Sequence, residues 1–190
     1  LPVHGAAGYF RLKANRYHVP MWFIVPGSQV QFSRSSDKEK ATLDVLGVIR
    51  DPQKRPVAWI RDTVKLAVAT TADVRRKNVQ YDTSFELPPG TYTVKVVIRE
   101  NQIGTVGSLE TTMVVPDIER EPLKVSSVVL SNQRQAAASK KGVVNPLVRN
   151  GQELIANVPH VVSATQPLYF YYEVYDPAQP VGVAIPAAQA

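Results

Sequence analysis

Three histidines, His4, His18 and His160, are this chain's candidates for general-base or metal chemistry. A catalytic triad needs a hydroxyl, an imidazole and a carboxylate within hydrogen-bond reach of one another. A zinc site needs three or four nitrogen, sulfur or oxygen ligands. The three histidines stand far apart, one in an N-terminal stretch and two in strand-like runs, and no Gly-x-Ser-x-Gly elbow, His-Glu-x-x-His pair or phosphate loop accompanies them. His18 reads as a packed or strand-edge histidine. Asp44, Asp62 and Asp82 lie on strand-like runs among apolar residues. Hard cations want several oxygens at once, and no closely spaced Asp-rich loop exists. These carboxylates read as outward residues paired with Arg or Lys on neighbouring strands. There is no cysteine, hence no disulfide and no thiolate site. The residues therefore predict a protein that is not an enzyme, with no catalytic, metal or cofactor-binding residue. A hydrolase built on His18 or His160 beside a carboxylate is the alternative of a different class.

Aromatic residues are the other group able to do chemistry. Trp22, Trp59, Tyr169, Tyr171 and Tyr175 are the candidates for an interface or a ligand platform. Tyrosine and tryptophan offer an apolar body with a polar tip, which suits protein contacts and sugars. In the run Pro167 to Tyr175, Leu168, Phe170, Tyr172 and Val174 share one face; Tyr169, Tyr171, Glu173 and Tyr175 share the other.

The elements that must position these residues are strands. In Val79 to Leu87, the residues Val79, Tyr81, Thr83, Phe85 and Leu87 alternate with polar ones, which puts one set in a core and the other in water. Pro88-Pro89-Gly90 ends that run. Tyr92, Val94, Val96 and Ile98 restart it, Glu100 to Gly104 turns it, and Leu109, Met113 and Val115 close it. Gly90 and Tyr92 form the pattern of a tyrosine corner, as in immunoglobulin-like sandwiches. Upstream, Arg16 to Val25 is apolar on both parities, so the sequence predicts cover on both sides; Pro20 points to an edge or a bulge. Ser33 to Lys40 reads as an exposed loop. Ala41 to Arg50 and Val57 to Ala69 read as strands, and Thr70 to Lys77 as a helical turn capped by Thr71. Fifteen prolines against ten glycines favour many short strands.

Behind Val115 the pattern thins. Pro116 to Pro122 reads as a linker and Lys124 to Leu130 as a strand. Ser131 to Gly142 reads as mobile, Leu154 to Val162 and Pro167 to Tyr175 as strands. Three or four strands cannot close a sandwich, so this region must lean on the first domain or be completed by another chain.

The formal charge is +6. Basic residues spread from Arg11 to Arg149, the longest run being Arg75-Arg76-Lys77, with no RNP-like or finger motif. That predicts scattered solvated faces and no nucleic-acid partner. The apolar run Met21 to Val25 is too short for a membrane span. The chain begins at Leu1, which reads as a fragment or a processed product.

Taken in order, Gly8-Tyr9-Phe10, Val25-Pro26-Gly27-Ser28, Ala41 to Asp51, Arg61 to Leu66, Val79 to Thr83, Leu87 to Tyr92, Val97 to Gln102, Val115-Pro116-Asp117 and Glu173 to Asp176 form a pattern. It resembles the region C-terminal to the von Willebrand factor A-like domain in acidobacterial VWFA-related proteins, over most of residues 8–176. The resemblance implies an exported or surface-associated multi-domain bacterial protein, extracellular, cell-surface or periplasmic. The D-x-S-x-S pattern of the metal-ion-dependent adhesion site is absent from the chain, so neither metal nor adhesion chemistry carries over.

The expected fold is all-β: an antiparallel immunoglobulin/fibronectin III-like β-sandwich over 9–116, then a second, partial β region over 123–176. Residues 1–8 and 117–122 are expected as linkers and 177–190 as a Pro/Ala-rich tail. The expected function is a non-catalytic module for protein–protein contact, its partner another protein or a neighbouring domain, including self-association through 167–175. The alternative is a carbohydrate-binding module using the aromatics above.

Overall fold

Asn15 takes a left-handed conformation (φ 56°) and folds the chain back between Phe10–Lys13 (β2) and Arg16–Pro26 (β3). Asparagine tolerates that conformation better than most residues. His4–Ala7 (β1) pairs with the far half of β3 in the same register, His4 opposite Ile24 and Phe10 opposite His18. β1 and β2 thus form one interrupted strand beside β3. Asn78–Leu87 (β7) pairs along the other side of β3, from Val25 opposite Val79 to Tyr17 opposite Leu87. In the computed structural model, which describes residues 1–35, 37–137 and 144–176, this first sheet stacks on a second one within an all-β, antiparallel, sandwich-like fold.

The second sheet is built from Ser33–Ser35 (β4), Lys38–Arg50 (β5), Pro56–Val68 (β6), Gly90–Glu100 (β8) and Val106–Val115 (β9). β5 lies between β6 on one side and β4 and β8 on the other, and β9 follows β8. Alternation along these strands delivers the core. Leu43, Val45, Ile49, Ile60, Val94, Val96 and Ile98 from the second sheet meet Tyr17, Val19, Met21, Phe23 and Val25 from β3. Ala72–Arg75 (α1) carries the chain from the second sheet back to the first. Thr71 makes no side-chain cap there; its backbone is already helical (φ −80°, ψ −12°), and the Thr70 hydroxyl accepts from Ala72 N instead.

Pro88-Pro89 is the corner between the two sheets. The Tyr92 hydroxyl donates to the Pro88 carbonyl at 2.9 Å, the bond of a tyrosine corner. A Cβ at Gly90 would stand 3.3 Å from that hydroxyl, so the ring lies over the glycine. At the other hairpin, the buried Glu100 carboxylate accepts from Gln102 N and Ile103 N at 2.9 and 3.0 Å, closing the turn with its own side chain.

Residues 123–176 form two small sheets. Val129–Ala136 (β11) pairs with Gln152–Ala156 (β13) and Tyr169–Tyr171 (β14), and Val148–Arg149 (β12) flanks β13. Lys124–Val125 (β10) pairs with Val174–Tyr175 (β15). A second cluster of Phe10, Trp22, Val129, Leu147 and Ala156 joins them to the outer face of the first sheet. This region leans on the sandwich, as its strand count requires.

Several elements depart from the sequence reading. Residues 1–8 are no linker: His4–Ala7 is a strand, Val3 is buried, and the terminal amine donates to Val106 O at 3.3 Å. The stretch is small because it is tightly packed. A Cβ on Gly5 would lie 2.8 Å from Leu109, and one on Gly107 would lie 1.9 Å from the Leu1 carbonyl oxygen. Pro20 is on a central strand, not an edge. Its carbonyl accepts from Gly8 N at 3.0 Å, and its missing N–H falls where the neighbouring strand breaks between β1 and β2. Within the expected loop Ser33 to Lys40, Ser33–Ser35 pairs with Lys38–Lys40 as strand, and β5 and β6 run 13 residues each, longer than the proline count suggests. The 117–122 linker is anchored, for Ile118 sits in the core at 2% exposure. Lys124 to Leu130 breaks into β10 and β11. Ser127 N donates to Tyr9 O, and Tyr9 N donates to Ser127 Oγ, so the break pairs with the chain between β1 and β2. Ser131 to Ala136 is strand, with Ser131 fully buried. The strand predicted over 154–162 ends at Ala156, and that over 167–175 divides between the two small sheets. The tail 177–190 and residues 138–143 lie outside the described residues.

Tyr92→Phe keeps the ring and removes the bond to Pro88. Its expected cost is about 0.5–1.5 kcal/mol in urea unfolding. An unchanged midpoint would show that the corner bond contributes nothing.

Candidate functional site

Where 123–176 meets the first sheet, polar groups concentrate around Arg11 and Glu173. Alternation along β2 turns Phe10 toward the second cluster and Arg11 to the other face, opposite Tyr17. The Arg11 guanidinium donates to Glu119 Oε1 at 2.8 Å and, bidentately, to Asp176 Oδ1 and Oδ2 at 2.9 and 2.7 Å. It also stacks over the Tyr175 ring, 4.6 Å from the centroid. Lys124 adds a second cation against Glu119 at 3.2 Å. The Arg11 contact holds the Asp176 carboxyl down at about 2. Arg11 and then Lys124 lower Glu119 as well. Two cations and two carboxylates thus tie β2, the 117–122 segment and the end of β15 together.

Glu173 is the second node. It accepts from the Tyr171 hydroxyl at 2.5 Å, the Tyr175 hydroxyl at 2.7 Å and Arg149 at 3.1 Å. Its backbone N–H donates to Ser126 Oγ. Arg149 also bonds the Tyr171 hydroxyl. Burial and then Glu173 push both tyrosine hydroxyls up from their ordinary range, which keeps them protonated as donors. Tyr171 packs on Phe10 with ring centroids 5.8 Å apart.

These contacts place the candidate aromatics. Trp22 is buried at 6% exposure under residues 123–176. Tyr171 and Tyr175 belong to the same joint, and Tyr169 lies under the Arg134 guanidinium, 4.2 Å from it. Trp59 is elsewhere, 66% exposed on the outer face of the second sheet. The five therefore share no platform. The parity split of 168–175 holds, but the two sides have the opposite use to the one read from tyrosine content. Leu168, Phe170, Tyr172 and Val174 stand 51%, 64%, 48% and 48% exposed, with Phe170 and Tyr172 stacked at 6.3 Å; Val128, the residue before β11, is 62% exposed. Alternation separates the two sides of a strand, but only the packing partner decides which side is covered. Arg11 and Glu173 carried no signal of their own, since each stands in sequence as an ordinary strand charge.

Two clefts flank β1. One of about 260 Å³ lies between β1 and β9, and its lining, Gly5 to Tyr9 with Met21, Leu109, Thr112 and Met113 among others, holds no carboxylate, histidine or lysine. The other, of about 130 Å³, has Trp22, Ser127, Asn157 and His160 in its wall and no carboxylate. Among the described residues no three His, Asp or Glu side chains gather as a metal site. Asp44 accepts from the Thr63 hydroxyl at 2.8 Å and lies across from Arg99. Asp62 bonds Thr63 N, and Asp82 accepts from Gln80.

His18 is 4% exposed and faces residues 123–176, with Glu86 and Glu173 as the charges around it. Burial lowers it below the ordinary value of 6.5, against the pull of those two carboxylates. The unfolded chain therefore takes up a proton first as pH falls, and the folded state loses stability. The unfolding midpoint is expected to drop as pH falls from about 7 to about 5. His18→Gln is expected to flatten that slope; an equally steep slope in the variant would show that His18 is not its source.

No family model matches the chain, and no curated protein matches it. Among solved structures it is similar to a Bacteroides fragilis protein assigned as a beta-galactosidase, at 14% identity and a TM-score of 0.40. That likeness covers 58% of this chain and 16% of the other, so the chain spans under a fifth of that protein's length.

Proposed function

We propose that this chain is a non-catalytic, immunoglobulin/fibronectin III-like module that makes protein–protein contacts within an exported or surface-associated multi-domain bacterial protein. The observation that carries the contact role is the apolar strip of Phe170, Tyr172, Val174, Leu168 and Val128 on the outside of the small sheets. Contiguous exposed apolar residues of this kind mark interaction surfaces on soluble proteins. Phe170 in the strip stands on β14, which ends its sheet and has one side unpaired among the described residues. An unpaired strand with an apolar face offers a partner backbone bonds and burial together. The Tyr92 corner supports the immunoglobulin-like assignment, and the resemblance to the VWFA-related proteins supports export.

The partner that such a self-complementary edge suits is a second copy of the chain, β14 against β14. Sedimentation velocity across a concentration series is expected to show a monomer–dimer equilibrium, shifted to monomer by Phe170→Asp. A wild-type chain that stays monomeric throughout its soluble range would refute self-association through this strand.

A further inference from the structure

Charge is unevenly placed on the second sheet. Register lines up the outward residues of β6, β5, β8 and β9 in rows. One row is Trp59, Val48, Lys95 and Glu110. The next is Arg61, Leu46, Val97 and Ser108, and the one after is Thr63, Asp44, Arg99 and Val106. Over the span where β5 pairs with β6, this face bears six cations, Lys40, Arg50, Arg61, Lys65, Lys95 and Arg99. It bears two carboxylates, Asp44 and Glu110, which leaves four of the chain's six net positive charges here. Lys95 pairs with Glu110 at 3.0 Å, and Asp44 lies between Thr63 and Arg99. No stretch of the sequence shows this concentration, because the cations sit on three strands at alternate positions.

The face is a pleated surface about 14 Å across four strands and about 33 Å along six rows. Its excess of one sign attracts a polyanion. Three polyanions are chemically available: a nucleic acid strand, an anionic lipid surface and an acidic polysaccharide. Single strands of nucleic acid are held by successive aromatic platforms, and this face has the single indole of Trp59. A lipid surface takes a continuous apolar side, whereas the apolar residues here, Trp59, Val48, Leu46 and Val97, form one short patch flanked by Arg61, Lys95, Asp44 and Arg99. Thr42, Thr63, Thr93, Ser108 and Thr112 share the face. Hydroxyls and one exposed indole amid cations suit a chain of sugar rings carrying acid groups: the indole offers a flat apolar surface to a ring, and the cations meet its carboxylates or sulfates. We propose that the outer face of the second sheet binds an acidic polysaccharide, with Trp59 stacking on a sugar ring and Arg61 and Arg99 among the cations that hold the acid groups.

The test uses the full chain with heparin and polygalacturonate as probes, neutral dextran and an oligo-dT strand as comparisons, and titration calorimetry at low and moderate salt. Binding to heparin or polygalacturonate, weakening with salt, is expected. The Arg61→Glu/Arg99→Glu variant is expected to lose at least about tenfold in affinity, and Trp59→Ala several-fold with no change of charge. All these positions are exposed, and unchanged thermal melts confirm that the variants fold. Arg75→Glu/Arg76→Glu changes net charge equally at the C-terminal end of α1 and is expected to bind as wild type. Absence of binding to both acidic polymers, equal loss in the two double variants, or tighter binding of oligo-dT than of either polymer would each overturn the proposal.

Discussion

Strand β3 has neither face in water. From Tyr17 to Val25 every residue is buried, the odd positions in the sandwich core and Trp22 beneath residues 123–176. Such a strand cannot set its own register by hydrophobicity, since a slip of one residue exchanges one apolar side for another. The register has to come from features that differ along its length. The Asn15 turn fixes one end. Pro20 needs a neighbour that asks for no N–H, and the break between β1 and β2 is the place that supplies one. His18 and Trp22 fit only a side with polar partners and room for an indole. Those few residues orient the first sheet, and everything stacked on it follows.

The region behind Val115 is stable to the extent that this arrangement lends it a surface. Its strands are mostly two to five residues long, and alone they would bury little. Burial of a ring such as Phe10 contributes about 1.5–3 kcal/mol, and Trp22 adds a larger ring to the same cluster. The ion pairs around Arg11 are largely at the surface, where such pairs contribute little to stability. Their use is geometric: a planar, bidentate guanidinium fixes how β2 meets the end of β15. Apolar rings hold the joint closed, and charged groups fix its angle.

Alternation is a local property, and what it predicts here was visible in the residues. The run from Val79 to Val115, the corner at Tyr92 and the double cover of β3 are all patterns of neighbours. The misreadings came where a residue's size or polarity answers to something distant. Gly5 to Gly8 looks like a spacer, yet its small side chains leave room for Phe23 and Leu109. Ser131 to Ala136 looks too polar to fold, yet it pairs along its length with β13, and Ser131 pairs with Tyr169 of β14 as well. Tyr169, Tyr171 and Tyr175 look like an exposed platform until Arg134, Glu173 and Arg11 claim their ring faces and hydroxyls. Charge was misjudged for the same reason, since runs along the chain say nothing about rows across a sheet.

Sheet edges show how the molecule separates surfaces that must stay alone from those free to pair. β6 carries Arg61, Asp62 and Lys65, β7 carries Asp82 and Glu86, β9 carries Glu110, and β12 carries Arg149. Charges on an edge strand discourage a second strand from docking, because pairing would bury them. β1 carries none, but its Gly-Ala-Ala run is crowded at Gly5 by Leu109 and Phe23. β14, Tyr169-Phe170-Tyr171, has no charge and no proline, and its Phe170 is 64% exposed. Shortness is its one protection, and three residues give too few backbone bonds to capture any passing strand. A partner must therefore match the apolar side chains as well as the backbone, and that double demand is what turns an open edge into a selective one.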